Sequence, residues 1–308
     1  MILCIGTTPA VQRTMLFQRL TLDDVNRATQ VREYASGKSI NVARVLNVLG
    51  REALAVGFAG GRRGNFVLEE LRRENIPADF IPIAAQTRLC TTLIDQENNQ
   101  VTEIVEESPA ATDDEWEALI ALIDKHAASA EMLIFSGTLA AGGPVDWWPA
   151  RWLNSGRAVM VDAKGEPMRR ALSACGPIIA KLNRAEFEQT IGEKFEDQYD
   201  EGRAFEAAVR SHAPVEGALI VTGGRSGAVA SIAGQFYRIH APKLRAISPI
   251  GSGDAFAAGL AAGWNTGPVE ALRLACACGA ANALTPDSGH VHRADIERLK
   301  PLVRIETT

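Results

Sequence analysis

Several protein classes are excluded by what this 308-residue sequence lacks. No apolar run approaches the roughly 20 residues that span a bilayer, so a membrane is not an expected partner. The opening MILCIGTTPAVQR has no basic segment ahead of an apolar one, and no secretory signal is expected. The five cysteines (Cys4, Cys90, Cys175, Cys276 and Cys278) are few and odd in number, which does not suit a disulfide framework. They read as small buried hydrophobes in a reducing cytoplasm. The formal net charge of −5 comes from interspersed signs, without a basic stripe, so nucleic acid is not expected either. Internal repeats and low-complexity linkers are absent. Gly37-Lys38-Ser39 ends like a P-loop, but the first glycine of that motif would fall at Arg32. Gly57, Gly60, Gly61 and Gly64 miss the dinucleotide-binding spacing, against an NAD enzyme. The five histidines form no helical metal pair.

What is present is a rhythm. Short β-rich runs alternate with longer amphipathic helices, as in parallel βαβ units. Strands are expected over Met1–Gly6, Leu54–Phe58, Met132–Ser136, Val159–Asp162, Ile178–Leu182 and Ala218–Thr222. Helices are expected over Ser39–Gly50, Asn65–Asn75, Asp113–Ala128, Arg184–Gly192, Gly202–Ser211, Asp254–Asn265 and Pro268–Leu284. Apolar residues recur on them at helical spacing, as with Val42, Val45, Leu46 and Leu49. Residues 15–35 and 88–108 break the rhythm with alternating strand patterns, and Asn98-Asn99 suits a hairpin turn between two of them. They are expected to form a small β-lid, with residues 1–14, 36–87 and 109–308 forming an α/β core. Trp147, Trp148 and Trp152 read as helix-to-sheet packing.

The chemistry concentrates in Ser248-Pro-Ile-Gly-Ser-Gly-Asp-Ala-Phe-Ala-Ala-Gly-Leu260. Gly251, Ser252 and Gly253 let backbone approach a ligand closely, and a helix N-terminus directly after them offers unpaired N–H groups to a phosphoryl group. Asp254 at the helix entry either caps the helix or takes a proton from an attacking hydroxyl. Asp162, at a strand end, has two readings as well: orienting magnesium waters or capping a helix.

Residues 249–259 resemble the C-terminal signature of the PfkB, or ribokinase-like, carbohydrate kinases. Four further segments resemble that family in order: Ala35-Ser-Gly-Lys-Ser-Ile-Asn-Val-Ala-Arg44, Ala180-Lys-Leu-Asn-Arg-Ala-Glu186, Val221-Thr-Gly-Gly-Arg-Ser-Gly227 and Cys278-Gly-Ala-Ala-Asn-Ala-Leu-Thr285. The resemblance implies a three-layer α/β/α core with a mainly parallel sheet and a small β-sheet lid. It implies Asp254 as catalytic base, the 251–253 turn as anion hole, and ATP with Mg²⁺ as cofactors. It places Thr222, Gly224, Gly227, Asn183 and Asn282 on the nucleotide side, with Glu186 and Asn183 holding the metal through water. Gln12, Gly37, Lys38, Asn41, Arg88, Arg27 and Thr138 fall on the sugar side. A homodimer through the lid is also implied.

The run Ile40–Leu46, with Thr87-Arg88 and Ser136-Gly-Thr-Leu139, resembles the phosphosugar branch. That makes a ketohexose phosphate (fructose 1-phosphate, tagatose 6-phosphate or fructose 6-phosphate) the leading acceptor. The departures from the branch lie on the sugar side. Gln12 stands where an Asp is usual, Ser36 and Ser39 replace glycines, Cys90 and Thr92 replace Asn and Lys, and Val105 replaces Asn. They motivate two competing readings: a non-catalytic sugar-phosphate or nucleotide sensor, and a kinase for a free sugar or nucleoside.

Overall fold

The computed structural model describes residues 1–144, 150–153, 157–174, 176–195 and 202–308. Cys175, Trp147 and Trp148 lie outside them. The first part of the chain gives β1 (Ile2–Gly6), β2 (Ala10–Phe17), β3 (Gln30–Ser36), α1 (Lys38–Val48), β4 (Ala53–Gly60) and α2 (Gly61–Arg73). Then come β5 (Ala78–Ile83), β6 (Arg88–Asp95), β7 (Gln100–Val105), α3 (Asp113–Ala127) and β8 (Met132–Ser136). The middle holds α4 (Ala150–Leu153), β9 (Ala158–Asp162), α5 (Glu166–Ser173), β10 (Ile178–Asn183), α6 (Arg184–Ile191), α7 (Arg203–His212) and β11 (Ala218–Thr222). The last part adds β12 (Ala228–Ile232), β13 (Gln235–His240), α8 (Ser252–Gly263), α9 (Pro268–Asn282), α10 (Arg293–Leu299) and β14 (Arg304–Thr307).

Ten strands form one sheet in the order β14-β13-β12-β11-β10-β9-β8-β1-β4-β5. Its members from β5 to β11 run parallel, and β12 to β14 add an antiparallel edge. The parallel strands are apolar on both faces, as burial from two sides requires: β1, β8 and β11 offer almost no polar position. One core lies between the sheet and α1, α8 and α9. The other lies between the sheet and α3, α5 and α7, with Leu119, Met168 and Val209 among its members. The result is a three-layer α/β/α body. Two glycines of α8, Gly259 and Gly263, let α9 pack closely against it through Ala271, Ala275 and Cys278.

Local chemistry fixes the helix ends. Thr112 and Glu115 cap α3 reciprocally, each side chain bonding the other's backbone N–H. Asn183 and Glu186 do the same for α6.

The second sheet has four strands in the order β3-β2-β6-β7. It takes in residues 10–14, which the sequence reading gave to the core. The reason is non-local: β2 pairs parallel with β6 from Ala10↔Arg88 through Phe17↔Asp95. No helix among the described residues is long and apolar enough to cross a membrane.

Candidate active site

Asp254 enters the structure at the third residue of α8, shortly after Gly251, whose φ is 82°. That left-handed turn suits glycine, and a side chain there would sit 2.5 Å from the Gly289 nitrogen. The Asp254 side chain is 7% exposed. Its Oδ2 accepts a hydrogen bond from Asn41 Nδ2 at 2.7 Å, and Oδ1 has no partner among the described residues. Burial pushes its carboxyl up to about 6. Lys38 opposes this, the Asp162 charge adds to it, and the Asn41 bond and Lys181 oppose it further.

Facing Asp254 is a charged cluster on three elements. Lys38, the first residue of α1, donates to Asp162 Oδ1 at 2.8 Å, and Lys181 on β10 donates to Oδ2 at 2.9 Å. Asp162 ends β9 and is fully buried. Burial works against its charge, but Lys181 and then Lys38 hold its carboxyl below the usual range. Burial likewise opposes the charge on Lys38, yet Asp162, Glu186 and Asp254 together hold that ammonium above its ordinary value. Of the two sequence readings for Asp162, helix capping fails, because Gly165 is the N-cap of α5. Both its oxygens are occupied by lysines, and it serves as their anchor.

Lys181 was missed by the sequence reading. A side chain at Gly253 would lie 3.0 Å from its Nζ, so this ammonium stands beside the glycine turn. The signal was available: one lysine inside the otherwise apolar strand IIAKLN, where a buried cation demands a partner.

Glu186 completes this side. Its Oε2 accepts from the Asn183 backbone, while Oε1 lies 3.8 Å from Lys38 Nζ. Among the described residues no cluster of three or more His, Cys, Asp or Glu forms a metal cage. A magnesium ion that keeps its waters, held by one carboxylate and phosphate oxygens, fits this donor set. Asn183 Oδ1 is engaged by the Glu186 backbone at 2.9 Å.

Among the residues expected on the sugar side, Arg88 opens β6. Its Nη2 donates to the Thr8 carbonyl at 3.1 Å and its Nη1 to the Glu106 carbonyl at 3.3 Å, while the buried Nε has no partner among the described residues. Gln12 and Thr92, two of the departures, bond each other: Gln12 Nε2 donates to Thr92 Oγ1 at 2.8 Å, with both side chains buried. A third departure, Ser36, donates to Asn41 Oδ1 at 3.2 Å. Ser39 packs against Gly6. Val105 lies opposite Cys90 in the lid sheet. Gly37 precedes α1 with its carbonyl bonded by the Asn41 nitrogen at 2.9 Å. Thr138 presents its carbonyl to Thr7 and Thr8, at 3.1 and 3.3 Å.

Other expected site residues stand differently. Arg27 is exposed in the loop between β2 and β3 and does not end a strand. Asn282 is fully buried, its Nδ2 bonded to the Ile250 carbonyl at 2.8 Å and its Oδ1 to the Gly289 nitrogen at 2.7 Å. It therefore ties the glycine turn to the 285–290 loop, with no free edge for a base. Gly227, at φ 92°, lies against the Ile239 carbonyl, which leaves no room for a side chain. Its requirement for glycine is one of packing. Thr222 ends β11 and donates to the Leu182 carbonyl at 3.3 Å, and Gly224 is open on its outer side. Trp152 packs on Phe135 with ring centres 5.2 Å apart.

Comparison with known proteins bears on the family and the fold. The model of the pfkB family carbohydrate kinases matches residues 1–292. A putative phosphofructokinase from Staphylococcus aureus is 28% identical, with a TM-score of 0.77, covering 100% of this chain and 99% of its own. Phosphofructokinase-2 from Escherichia coli shares the fold at 21% identity and a TM-score of 0.87, over 98% of both chains. A possible 1-phosphofructokinase from Thermotoga maritima shares it at 19% identity and a TM-score of 0.86, over 100% of this chain and 99% of that one. With its family model spanning nearly the whole length, this chain belongs to the PfkB family of carbohydrate kinases.

Proposed function

We propose that this kinase transfers the γ-phosphoryl group of ATP to a hydroxyl of a ketohexose phosphate, with Asp254 as the base. The observation that carries the reading is the state of that carboxylate. One oxygen is held by Asn41, the other is without a partner, and a carboxyl near 6 is ionised at neutral pH yet accepts a proton readily. The substrate hydroxyl gives its proton to Asp254 Oδ1 as its oxygen attacks the γ-phosphorus, and the bond to the bridging oxygen breaks to release ADP. The Gly251 and Gly253 amides and the N-terminal end of α8 are the donors we assign to the migrating group, the Ser252 amide being bonded to the Pro249 carbonyl at 3.1 Å. Lys181 and Lys38 supply positive charge beside it. Magnesium, when bound, neutralises phosphate charge, and Glu186 Oε1 is the protein oxygen we assign to its waters.

Arg88 supports a phosphorylated acceptor. Two of its nitrogens are fixed by backbone carbonyls, the side chain is half-buried, and among the described residues its charge is in no ion pair, which leaves it to an anion. The Gln12–Thr92 bond weighs against the sensor reading, since two supposed losses satisfy each other. Exposed Val31 on β3 and Ile104 and Val105 on β7 lie on the edge strands of the lid sheet, which supports pairing of lids in a homodimer. A monomer in sedimentation at micromolar concentration refutes that pairing.

An ATP-coupled assay across sugar phosphates, free sugars and nucleosides tests the reaction. Turnover is expected with a ketohexose phosphate. Arg88→Met is expected to raise the acceptor KM about 10- to 100-fold, the worth of a charge-assisted hydrogen bond, with the ATP KM unchanged. Turnover with free sugars or nucleosides that is insensitive to Arg88→Met refutes the phosphate clamp. No turnover with any acceptor returns the sensor reading.

A further inference from the structure

The carboxylate of Asp254 is held by an amide, and an amide has two chemically opposite ends. Asn41 donates from Nδ2 to Asp254. The same side chain turned by 180° would present Oδ1 instead, and that end stabilises only a protonated Asp254. The orientation of a buried amide is decided by its network, and here the network leads to Arg44.

Arg44 lies one turn beyond Asn41 on α1 and is 4% exposed. Its guanidinium can only donate. Nη1 donates to Asn41 Oδ1 at 3.1 Å, and Nη2 to the Ala35 carbonyl at 2.6 Å and to Glu74 Oε1 at 3.0 Å. Nε is paired with Glu74 Oε2. The Ser36 hydroxyl is the second donor to Asn41 Oδ1. With both donors on its oxygen, the amide has only its NH₂ group to offer Asp254.

We infer that Arg44 is a positioning residue for phosphoryl transfer: it locks Asn41 as a donor to Asp254 and so sets the pH below which the base is lost. The inference rests on Asp254 being the base. Arg44 acts through Asn41, because its charge is paired with Glu74 and is not among those that act on Asp254 directly. The charged groups facing Asp254 are Lys38, Lys181 and Asp162. Those facing Arg44 are Glu74 and, around a cavity of about 410 Å³ that opens beside it, Arg32, Glu33, Glu70, Asp287 and His290, with the phenol of Tyr34. His290 is held near 4, by burial first and by Arg44 second, and stays neutral through the working range.

Removing the guanidinium frees the amide to turn. The hydrogen bond then favours whichever form of Asp254 is present, and its depressing effect on the carboxyl is lost. A rise of about one pH unit is expected, the equivalent of one modest hydrogen bond to a charged group.

The test pairs two readouts on the full chain: the acid limb of kcat/KM against pH, and the ¹³C carboxyl titration of Asp254, assigned with Asp254→Asn. In Arg44→Met both are expected to move up together by about one unit. Arg44→Lys keeps the cation beside Glu74 and is expected to move them less. Ser36→Ala, which removes one donor and no charge, is expected to give a smaller shift in the same direction. It keeps the question open to measurement if Arg44→Met fails to fold. In an Asn41→Ala background Arg44→Met is expected to add nothing. An Asp254 titration that stays put in Ser36→Ala and both Arg44 variants overturns the inference. So does one that moves equally without Asn41, which would make the effect a through-space charge. If Asp254→Asn retains full activity the base assignment fails, while the carboxyl titration still decides the role of Arg44.

Discussion

Replacing Asp254, the proposed base, should stabilise the protein while abolishing the proposed reaction. Asp254 is buried, and its carboxyl is pushed from 3.8 to about 6. That rise corresponds to about 3 kcal/mol favouring the neutral form in the fold. The sign follows from linkage. A carboxyl whose folded value lies above its unfolded one contributes stability that is complete below about pH 4 and lost as pH rises through about 6. At pH 8 the ionised side chain therefore works against folding. The asparagine introduced by Asp254→Asn has the same shape, is neutral at every pH, and can accept from Asn41 through its own oxygen. The value of about 6 already includes the attraction to Lys38 and Lys181, so Asp254→Asn is expected to be about 1–3 kcal/mol more stable at pH 8. For a chain of this length that is an increase in Tm of roughly 2–6 °C. The difference is expected to fall to about half at pH 5, where the folded wild type is largely protonated. Thermal and urea melts of both proteins at pH 5, 6, 7 and 8, beside the ATP-coupled assay, measure it. Equal stability at pH 8, or a difference that does not grow between pH 5 and 8, refutes the claim that burial strains this carboxylate.

Three further substitutions probe the same machinery. Lys181→Met leaves Asp162 with Lys38 as its only cation among the described residues and removes charge beside Gly253. It is expected to lower kcat at least 10²-fold and to cost several kcal/mol in urea unfolding, as breaking a buried ion pair does; a kcat within threefold of wild type refutes the assignment. Gly251→Ala forces a side chain into a φ of 82° and against the 288–289 backbone, so a loss of about 2 kcal/mol or more is expected together with loss of turnover. Wild-type melting of that variant would show the turn to be adaptable. Gln12→Asp places a carboxylate where Thr92 offers only one hydroxyl, and should weaken acceptor binding and stability together. The double variant Gln12→Asp/Thr92→Lys is expected to recover stability by pairing the two charges, which a double-mutant cycle measures as coupling above about 0.5 kcal/mol.

The fold was legible wherever hydrophobic periodicity decides it. Met132–Ser136 and Ala218–Thr222 have the expected bounds, and the helices shift by a few residues at their ends, where caps and fraying decide. The antiparallel edge was not legible. β12 and β13 turn through Ala233 at φ 48° and Gly234 at φ 81°, and an alanine in the left-handed region gives none of the Asn-Gly or Asp-Gly signal that marks such hairpins. β5 contains Pro82, which argues against a strand until its place at the sheet's edge is known. The five extra lid residues depend on pairing with a segment nearly eighty positions away.

The site divides along a similar line. Residues carried by a local run, from the glycine turn to Asp254 and from Lys38 to Asn41, come together as a motif suggests. Residues whose role is to constrain others do not announce themselves in one dimension. Lys181 reads as an oddity in an apolar strand, and Arg44 as one more cation on a helix, until Asp162, Glu74 and Asn41 are seen as their partners. Read singly, Gln12, Thr92 and Ser36 look like erosion of a sugar site. In space the first two are bonded across neighbouring strands, and the third bonds the Asn41 amide that in turn bonds Asp254. A buried polar group left unpaired costs more than a changed one that finds a partner. Paired departures of this kind therefore argue against simple loss of the site: a neutral amide and a hydroxyl stand where the branch has a carboxylate and an ammonium, and each is the other's partner.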